Sequence, residues 1–415
     1  MKIAHLLRKY DPRAWGGTET AVQLLAAGLR EVGVESVFFA PRLEPGATLA
    51  HDPLTDDGHP VRRFRATVPI LGLDDVQRRQ LVAVGGNLLS LEAPLLLARE
   101  PGVDVVHSHA LNRLGGIART VARLRRLPFV VTIHGGYLDL PESARGELRS
   151  ASRRGLEWGK ALGLLVGARH VVSGADAVLT TNAREAELLR ARYPTLRVEV
   201  LPHGIPQHAF ERDHREAALT AWPALRGRRV LLAVGRIDPV KNQGSLLEAL
   251  PELERRHPDV TLVLAGAVTN EPYGDELSRR SRELGIDSRV LRTGGLPPRD
   301  PRLLGLYRLA EAVLLPSVSE TFGLVLLEAW ASSTAVVASR TTGALALVRD
   351  GENGWLYDHG DSAGLIRALD VVLGDAPRRA ASIEAGRALV QSSYDAAKVA
   401  GRVKAIYESV RGARR

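Results

Sequence analysis

Apolar residues along this chain fall into short unbroken runs, and most runs are followed by a stretch with helical spacing. Runs at Lys2 to Leu7, Ser36 to Phe39, Val103 to His107, Phe129 to Ile133, Ala177 to Leu179 and Val198 to Leu201 predict strands buried on both faces. Helical patterns between them, the first at Thr18 to Leu29, predict crossovers and hence a parallel sheet. A second series follows at Val230 to Val234, Thr261 to Leu264, Val290 to Arg292, Ala312 to Leu315 and Ala335 to Ala338. Between the two lies Leu201 to His208, rich in Pro and Gly, and then a charged, weakly apolar stretch. The pattern predicts an α/β chain of two Rossmann-like domains, 1–205 and 206–394, facing a central cleft. A terminal helix at 395–415 is expected to cross back to the first domain.

Composition narrows the class. A chain of 415 residues is too long for one ordinary core. It contains no Cys, which rules out disulfides, thiolate catalysis and Cys-ligated zinc and points to a reducing, cytoplasmic compartment. The apolar run at Met1 to Lys9 is too short for a signal peptide. The longest spanning candidate, Thr321 to Ser339, contains Glu328. The net charge of +9 is uneven, with 27 basic against 21 acidic residues in 1–205. Arg113, Arg119, Arg123, Arg125 and Arg126 form a run without an acid. A solvated helix face is its plainer reading; a surface meeting an anionic acceptor, or anionic lipid at the inner membrane face, is the sharper one. Nucleic acid is disfavoured, because no aromatics interleave with the basic residues, and no pattern specifies an oligomeric state.

In open parallel sheets ligands bind beyond the carboxyl ends of the strands. Glu320 falls in the loop after the strand Ala312 to Leu315, and Glu328 lies inside the helix that follows. A carboxylate five residues past Gly323 sits roughly 7 Å along the axis from the first-turn amides. That is the scale of a sugar, diphosphate and ribose laid along a helix end. The helix dipole and the amides of Phe322, Gly323 and Leu324 favour an anion there. Arg236 and Lys241 follow the strand Val230 to Val234, and two cations in one such loop suit a diphosphate. With six lysines beside fifty arginines in the chain, a Lys in this loop is conspicuous, although surface ion pairs would explain either residue singly. Gly16 and Gly17 precede the first helix and would let backbone approach a phosphate or sugar; an ordinary tight loop explains them equally well. The dinucleotide fingerprint G-x-G-x-x-G is absent there. His134, beside Gly135 and Gly136 at a strand end, is the best histidine candidate, with a structural histidine as the alternative. His107 and His109 could be a metal pair, but no third ligand of matching spacing stands nearby, so no metal site is expected.

Taken together these residues resemble the retaining nucleotide-sugar glycosyltransferases of family 4, which have the two-domain GT-B fold. Ser319 to Ala331 is similar to the family's E-x7-E segment, with Glu320 and Glu328 at the acidic positions. The resemblance implies that Arg236 and Lys241 hold the donor diphosphate and that Glu328 binds the ribose hydroxyls. It implies that Glu320, with Thr321 and the amides of Phe322, Gly323 and Leu324, holds the sugar or its phosphates. Gly16 and Gly17 match the first glycine loop, and His134 falls where the family has a histidine beside the transferred sugar. Leu345-Ala346 stands where the family often has Pro-Glu, His203 replaces Asn before Gly204, and Asn242 occupies a position that is often Gly.

The implied reaction moves a hexosyl unit from a nucleoside-diphosphate sugar to a glycan, lipid-linked or small-molecule acceptor, with retained configuration. UDP is the commonest nucleotide of the family, with GDP and ADP open. No cofactor or metal is implied, since a basic diphosphate pocket takes over the metal's role. A phosphorolytic relative acting on a disaccharide, and a sugar-nucleotide-binding subunit without catalysis, are the alternatives.

Overall fold

The computed structural model describes residues 1–12, 17–42, 52–72, 88–134, 156–297 and 299–414. The chain divides into two compact units. The first is built on Ala21–Pro202 with both chain ends, Met1–Arg13 and Ala397–Arg415; the second is built on His203–Ala396.

The first unit contains β1 (Lys2–Leu6), β2 (Glu35–Pro41), β3 (Val61–Phe64), β4 (Ile70–Leu71), β5 (Val105–Ser108), β6 (Phe129–Ile133), β7 (Leu156–Glu157), β8 (Ala177–Thr180) and β9 (Val198–Val200). Seven of these make one parallel sheet in the order β3-β2-β1-β5-β6-β8-β9, and β4 pairs with β7 antiparallel. The central strands are mostly apolar because helices cover both faces, with His5, His107 and Thr132 as buried polar exceptions. One face packs on the helix Asn112–Leu124, through Leu114, Ile117, Val121 and their neighbours. The other receives the terminal helix Ala396–Gly412, whose Val399, Val403, Ile406, Tyr407 and Val410 recur at helical spacing and close over Ile3, Val105, Val130 and Leu179.

The second unit holds β10 (Arg229–Val234), β11 (Val260–Ala265), β12 (Val290–Gly294), β13 (Ala310–Leu315), β14 (Ala335–Ser339) and β15 (Trp355–Tyr357) in a parallel sheet of order β12-β11-β10-β13-β14-β15. Helices Gln243–Arg256 and Ser362–Gly374 cover one face through Leu246, Leu250, Leu253, Leu365, Leu369 and Val372. Within this unit Ile205 forms a parallel bridge with Asp395, its N–H donating to Tyr394 O at 2.8 Å.

Four strands and one surface differ from the sequence reading. β3, β15 and the two-residue strands β4 and β7 were not expected. Val-Arg-Arg-Phe is an edge strand whose arginines are satisfied sideways: Arg63 donates to Tyr10 O and Pro41 O and pairs with Asp52 at 2.8 Å. The run at Arg113 to Arg126 is not one solvated face either. Arg113 is buried and its Nε donates to Gly159 O at 2.9 Å, and Arg125 donates to Leu97 O, leaving Arg123 and Arg126 exposed.

Candidate functional site

Neighbouring strand ends of the second unit bring most of the candidate residues together. β10 ends at Val234, and Gly235 turns the chain at a φ of 151°, which a residue with a Cβ rarely adopts. A Cβ on Gly266, at the end of adjacent β11, would meet Gly235 O at 1.9 Å, so two backbones lie in contact there. The loop then carries Arg236, paired with Asp238 at 3.2 Å and 48% exposed, and Lys241. Asp238 also accepts from the Lys241 N–H through Oδ1 at 3.1 Å. Asn242 closes the loop at φ 55°, a left-handed position, and caps the helix Gln243–Arg256. This accounts for an Asn where relatives often have Gly, since these two residue types tolerate that conformation best. Its Nδ2 donates to Pro316 O at 3.1 Å, and the Val318 N–H donates to Val240 O at 2.8 Å, tying the loop after β10 to the loop after β13.

Across that seam Lys241 Nζ lies 2.6 Å from Glu320 Oε2. Thr321 follows, half-buried, and Phe322 is buried edge-on to His203 at 4.8 Å between ring centres. Gly323, at φ 89°, caps the helix Leu324–Ala331. The amides of Phe322, Gly323 and Leu324 thus stand at a helix entrance beside a cation and a carboxylate. A contact the sequence did not reveal holds this turn: the Gly343 N–H donates to Glu320 O at 2.8 Å, and a Cβ on Gly343 would come within 2.6 Å of Phe322 N. Leu345 and Ala346, one turn further along, face solvent.

Glu328 sits one turn into the helix Leu324–Ala331. Tyr307 donates its hydroxyl to Glu328 Oε2 at 2.5 Å. Burial pushes the Glu328 carboxyl above the usual carboxylate range, with the Tyr307 hydrogen bond acting the other way. Burial and the carboxylate together push the Tyr307 hydroxyl well up, so it remains a donor. Tyr307 was not foreseen; it lies on the helix Pro301–Leu309 and reads as an ordinary core aromatic.

His134 belongs to the first unit, whereas the segment Ala14–Thr20, which holds the glycine pair, is grouped with the second. Gly17 opens the helix Gly17–Glu31, one residue before the expected start at Thr18, with open space where a Cβ would stand. Gly16, Gly135 and Gly136 lie outside the described residues. His134, after β6, is joined to His109 Nδ1 through its Nε2 at 2.9 Å, and His109 Nε2 meets His5 Nδ1 at 3.0 Å. The expectation that His107 and His109 lack a third nearby imidazole is corrected by His5, since the ligating atoms of all three lie within 4.8 Å. The separation along the chain concealed it: His5 pairs with His107 across β1 and β5. His107 is engaged through both nitrogens, with Tyr407 Oη and Thr132 Oγ1 at 2.6 Å each.

Residues 216–389 match the family model of group 1 glycosyl transferases, and residues 16–204 match that of the glycosyl transferase 4-like domain. Among relatives, the D-inositol 3-phosphate glycosyltransferase of Nocardia farcinica is 33% identical over 380 residues, covering 88% of this chain and 78% of that one. The D-inositol 3-phosphate glycosyltransferase 1 of Catenulispora acidiphila is 29% identical over 407 residues, covering 95% and 91%. Among solved structures, Anabaena HepE in complex with UDP superposes with a TM-score of 0.71 at 20% identity, covering 99% and 100%. Sucrose-phosphate synthase from Thermosynechococcus elongatus gives 0.72 at 23%, covering 100% of both. At those identities the structures speak for the fold, which is GT-B. The chain therefore belongs to the family of group 1 glycosyl transferases with a 4-like amino-terminal domain.

Proposed function

We propose that this glycosyltransferase takes a hexosyl unit from a nucleoside-diphosphate sugar, UDP-linked in the first instance, and transfers it with retained configuration to a small phosphorylated polyol of the inositol 3-phosphate type. The observation that carries the donor half is the Lys241–Glu320 contact at 2.6 Å, which puts a cation and a carboxylate from adjacent strand ends beside a helix entrance. The second unit is read as the donor domain. There Arg236, Lys241 and the amides of Phe322 to Leu324 stabilise charge developing on the departing diphosphate. Glu328 accepts from the ribose hydroxyls, while Glu320 and Thr321 hold the sugar. The first unit is read as the acceptor domain, with His134 contacting the sugar, and Gly16 and Gly17 are read as lending backbone to the ligand.

The acceptor half rests on the activity the relatives are named for and on the basic excess of residues 1–205. A nucleoside-diphosphate leaving group and same-face attack by an acceptor hydroxyl need no covalent enzyme intermediate, and the chain presents no obligatory nucleophile for one. Peripheral contact with anionic lipid is a further part of this reading. It is supported by exposed Trp158, Leu164 and Leu165 around the helix Lys160–Leu165.

A thermal-shift panel of UDP-, GDP- and ADP-sugars tests the donor, since a ligand far above its Kd raises the melting temperature. Transfer to inositol 3-phosphate against unphosphorylated inositol, with the anomeric proton read by NMR, tests acceptor and stereochemistry. Intact transfer by Arg236→Ala/Lys241→Ala, or equal use of both inositols, would defeat the corresponding half. Co-sedimentation with phosphatidylserine and with neutral vesicles at low salt tests the lipid contact, which equal binding to both would remove.

A further inference from the structure

Glu328 offers its carboxylate from inside a helix, and one neutral partner decides how. Among the described residues that carboxylate accepts from Tyr307 alone, at Oε2, and no cation is paired with it. The Glu328 side chain is partly exposed, whereas Tyr307 is buried. The hydroxyl therefore takes Oε2 from within the fold, and Oε1 is the oxygen left to a ligand.

The donor is itself held in place. Tyr307 O accepts from Thr334 Oγ1 at 2.5 Å. The Thr334 N–H donates to Ala329 O and the Ser332 N–H to Glu328 O, at 2.9 Å each, so the turn that holds Tyr307 also closes the helix carrying Glu328. Ser333 gives that turn a left-handed φ of 60°. The Phe210 ring meets the Tyr307 ring edge-on at 6.5 Å. A Cβ on Gly305 would come within 2.2 Å of His214 O, so the helix Pro301–Leu309 is pressed against the start of the helix Arg215–Ala221.

A glutamate side chain without a fixed partner samples several rotamers, and both carboxylate oxygens can accept. Pinning one oxygen turns that ensemble into a single oriented acceptor, with the ordering done before a ligand arrives.

We propose that Tyr307 is a positioning residue: its hydroxyl holds Oε2 of Glu328 and thereby aims Oε1 at the vicinal diol of a nucleotide, which makes this pair the discriminator between ribonucleotides and deoxynucleotides. The discrimination rests on the reading of Glu328 as the residue that accepts from the ribose. The same hydrogen bond has a second effect. It opposes the upward push of burial on the Glu328 carboxyl, and so keeps the accepting anion present to lower pH.

The test is calorimetric titration of UDP, 2′-deoxy-UDP and 3′-deoxy-UDP into the native protein, Tyr307→Phe and Glu328→Gln, with melting curves to confirm folding. The native protein should bind UDP about tenfold more tightly than at least one deoxy analogue. Tyr307→Phe keeps the ring and removes the donor. It should weaken UDP about threefold to fivefold, leave kcat little changed, and bring the preference over the deoxy analogue down towards that of Glu328→Gln. Its UDP affinity should also be half-lost at a higher pH than the native protein's, because the carboxyl is no longer held down; looser packing alone would weaken binding equally at every pH. Thr334→Val keeps the Tyr307 hydroxyl but releases its helix end. It should lower the preference by a smaller factor, and it supplies the readout should Tyr307→Phe fold poorly. A native protein that binds all three nucleotides alike removes the ribose reading and the proposal with it. If the preference is lost in Glu328→Gln but a folded Tyr307→Phe, or Thr334→Val in its place, matches the native protein in preference and pH profile, the positioning role is overturned while the ribose reading stands.

Discussion

Lys241 Nζ and Glu320 Oε2 are 2.6 Å apart, so the cation ending the loop after β10 and the carboxylate in the loop after β13 neutralise each other in the free protein. Their side chains are 23% and 17% exposed, which sets the pair apart from surface bridges worth about 0 to 1 kcal/mol. On the proposed reading, a diphosphate arriving at Lys241 has to share it with Glu320, and the two residues pull in opposite directions on nucleotide binding although both belong to the proposed donor site.

Opposite signs are the expected outcome. Glu320→Gln keeps the shape, removes the competing charge, and should raise UDP affinity several-fold while lowering turnover with the sugar nucleotide. Lys241→Met should lower UDP affinity by about tenfold or more, the scale of a charged hydrogen bond of about 1.5 to 3 kcal/mol. Isothermal titration with UDP, beside steady-state rates, checks both. Equal losses of affinity in the two variants would reduce the pair to a structural bridge.

Gly343→Ala tests whether the Glu320 turn is set by its second neighbour. The added Cβ would meet Phe322 N, Thr321 C and Glu320 O at 2.6, 2.8 and 2.9 Å, all backbone atoms that cannot rotate away. Overpacking of this kind costs about 1 to 3 kcal/mol, and here the displaced atoms carry the candidate site. We expect a melting temperature several degrees lower and a turnover loss larger than in Gly401→Ala, a position with no neighbour within 4 Å of the added atom. Parallel melting curves and rates decide it.

The central strands could be read from sequence because a parallel sheet buries both faces and leaves unbroken apolar runs, as in Val-Leu-Leu-Ala-Val of β10. β3 escaped because edge strands need no such run: its Arg62 and Arg63 pair with Glu100 and Asp52 beside the sheet. β15 escaped because Trp-Leu-Tyr is too short to carry a period. Arg236, Lys241, Glu320 and Glu328 were visible as charged residues at strand ends and in one helix. Gly343, Tyr307 and His5 were not, because each acts on a residue from 21 to 104 positions away, and a glycine, a core tyrosine and a strand histidine look the same whether or not such a contact exists.

Tyr407 links the terminal helix to the histidines of the first unit, with its hydroxyl 2.6 Å from His107 Nδ1 and its ring fully buried. Tyr407→Phe keeps the packing and removes one buried hydrogen bond, leaving His107 Nδ1 without that partner. The expected cost is about 1 to 2 kcal/mol of stability, a few degrees in melting temperature, with kcat and KM unchanged. A denaturant titration beside steady-state rates checks this. A loss of turnover in a fully folded variant would extend the working part of the histidine cluster to His107.

Glu328 should reveal itself through pH. Its folded carboxyl titrates above the usual carboxylate range because burial disfavours the anion. Between the unfolded and folded values the folded state therefore holds more protons than the unfolded chain. Stability then falls as pH rises through that window, and the cost is fully present above the folded value. Glu328→Gln removes this cost while a carbonyl still accepts from Tyr307. The ligand-free variant should melt higher than the native protein at pH 7, and the gap should close as pH drops below the carboxylate range. Binding should move the other way, because the carboxylate proposed to accept from the ribose hydroxyls is gone: UDP affinity should fall about tenfold at pH 7 with kcat little changed. Melting curves from pH 4 to 8 with and without UDP measure both effects. A variant that melts lower than the native protein at neutral pH would identify Glu328 as a stabilising partner of Tyr307, whereas higher stability with weaker binding is what a carboxylate retained for its ligand produces.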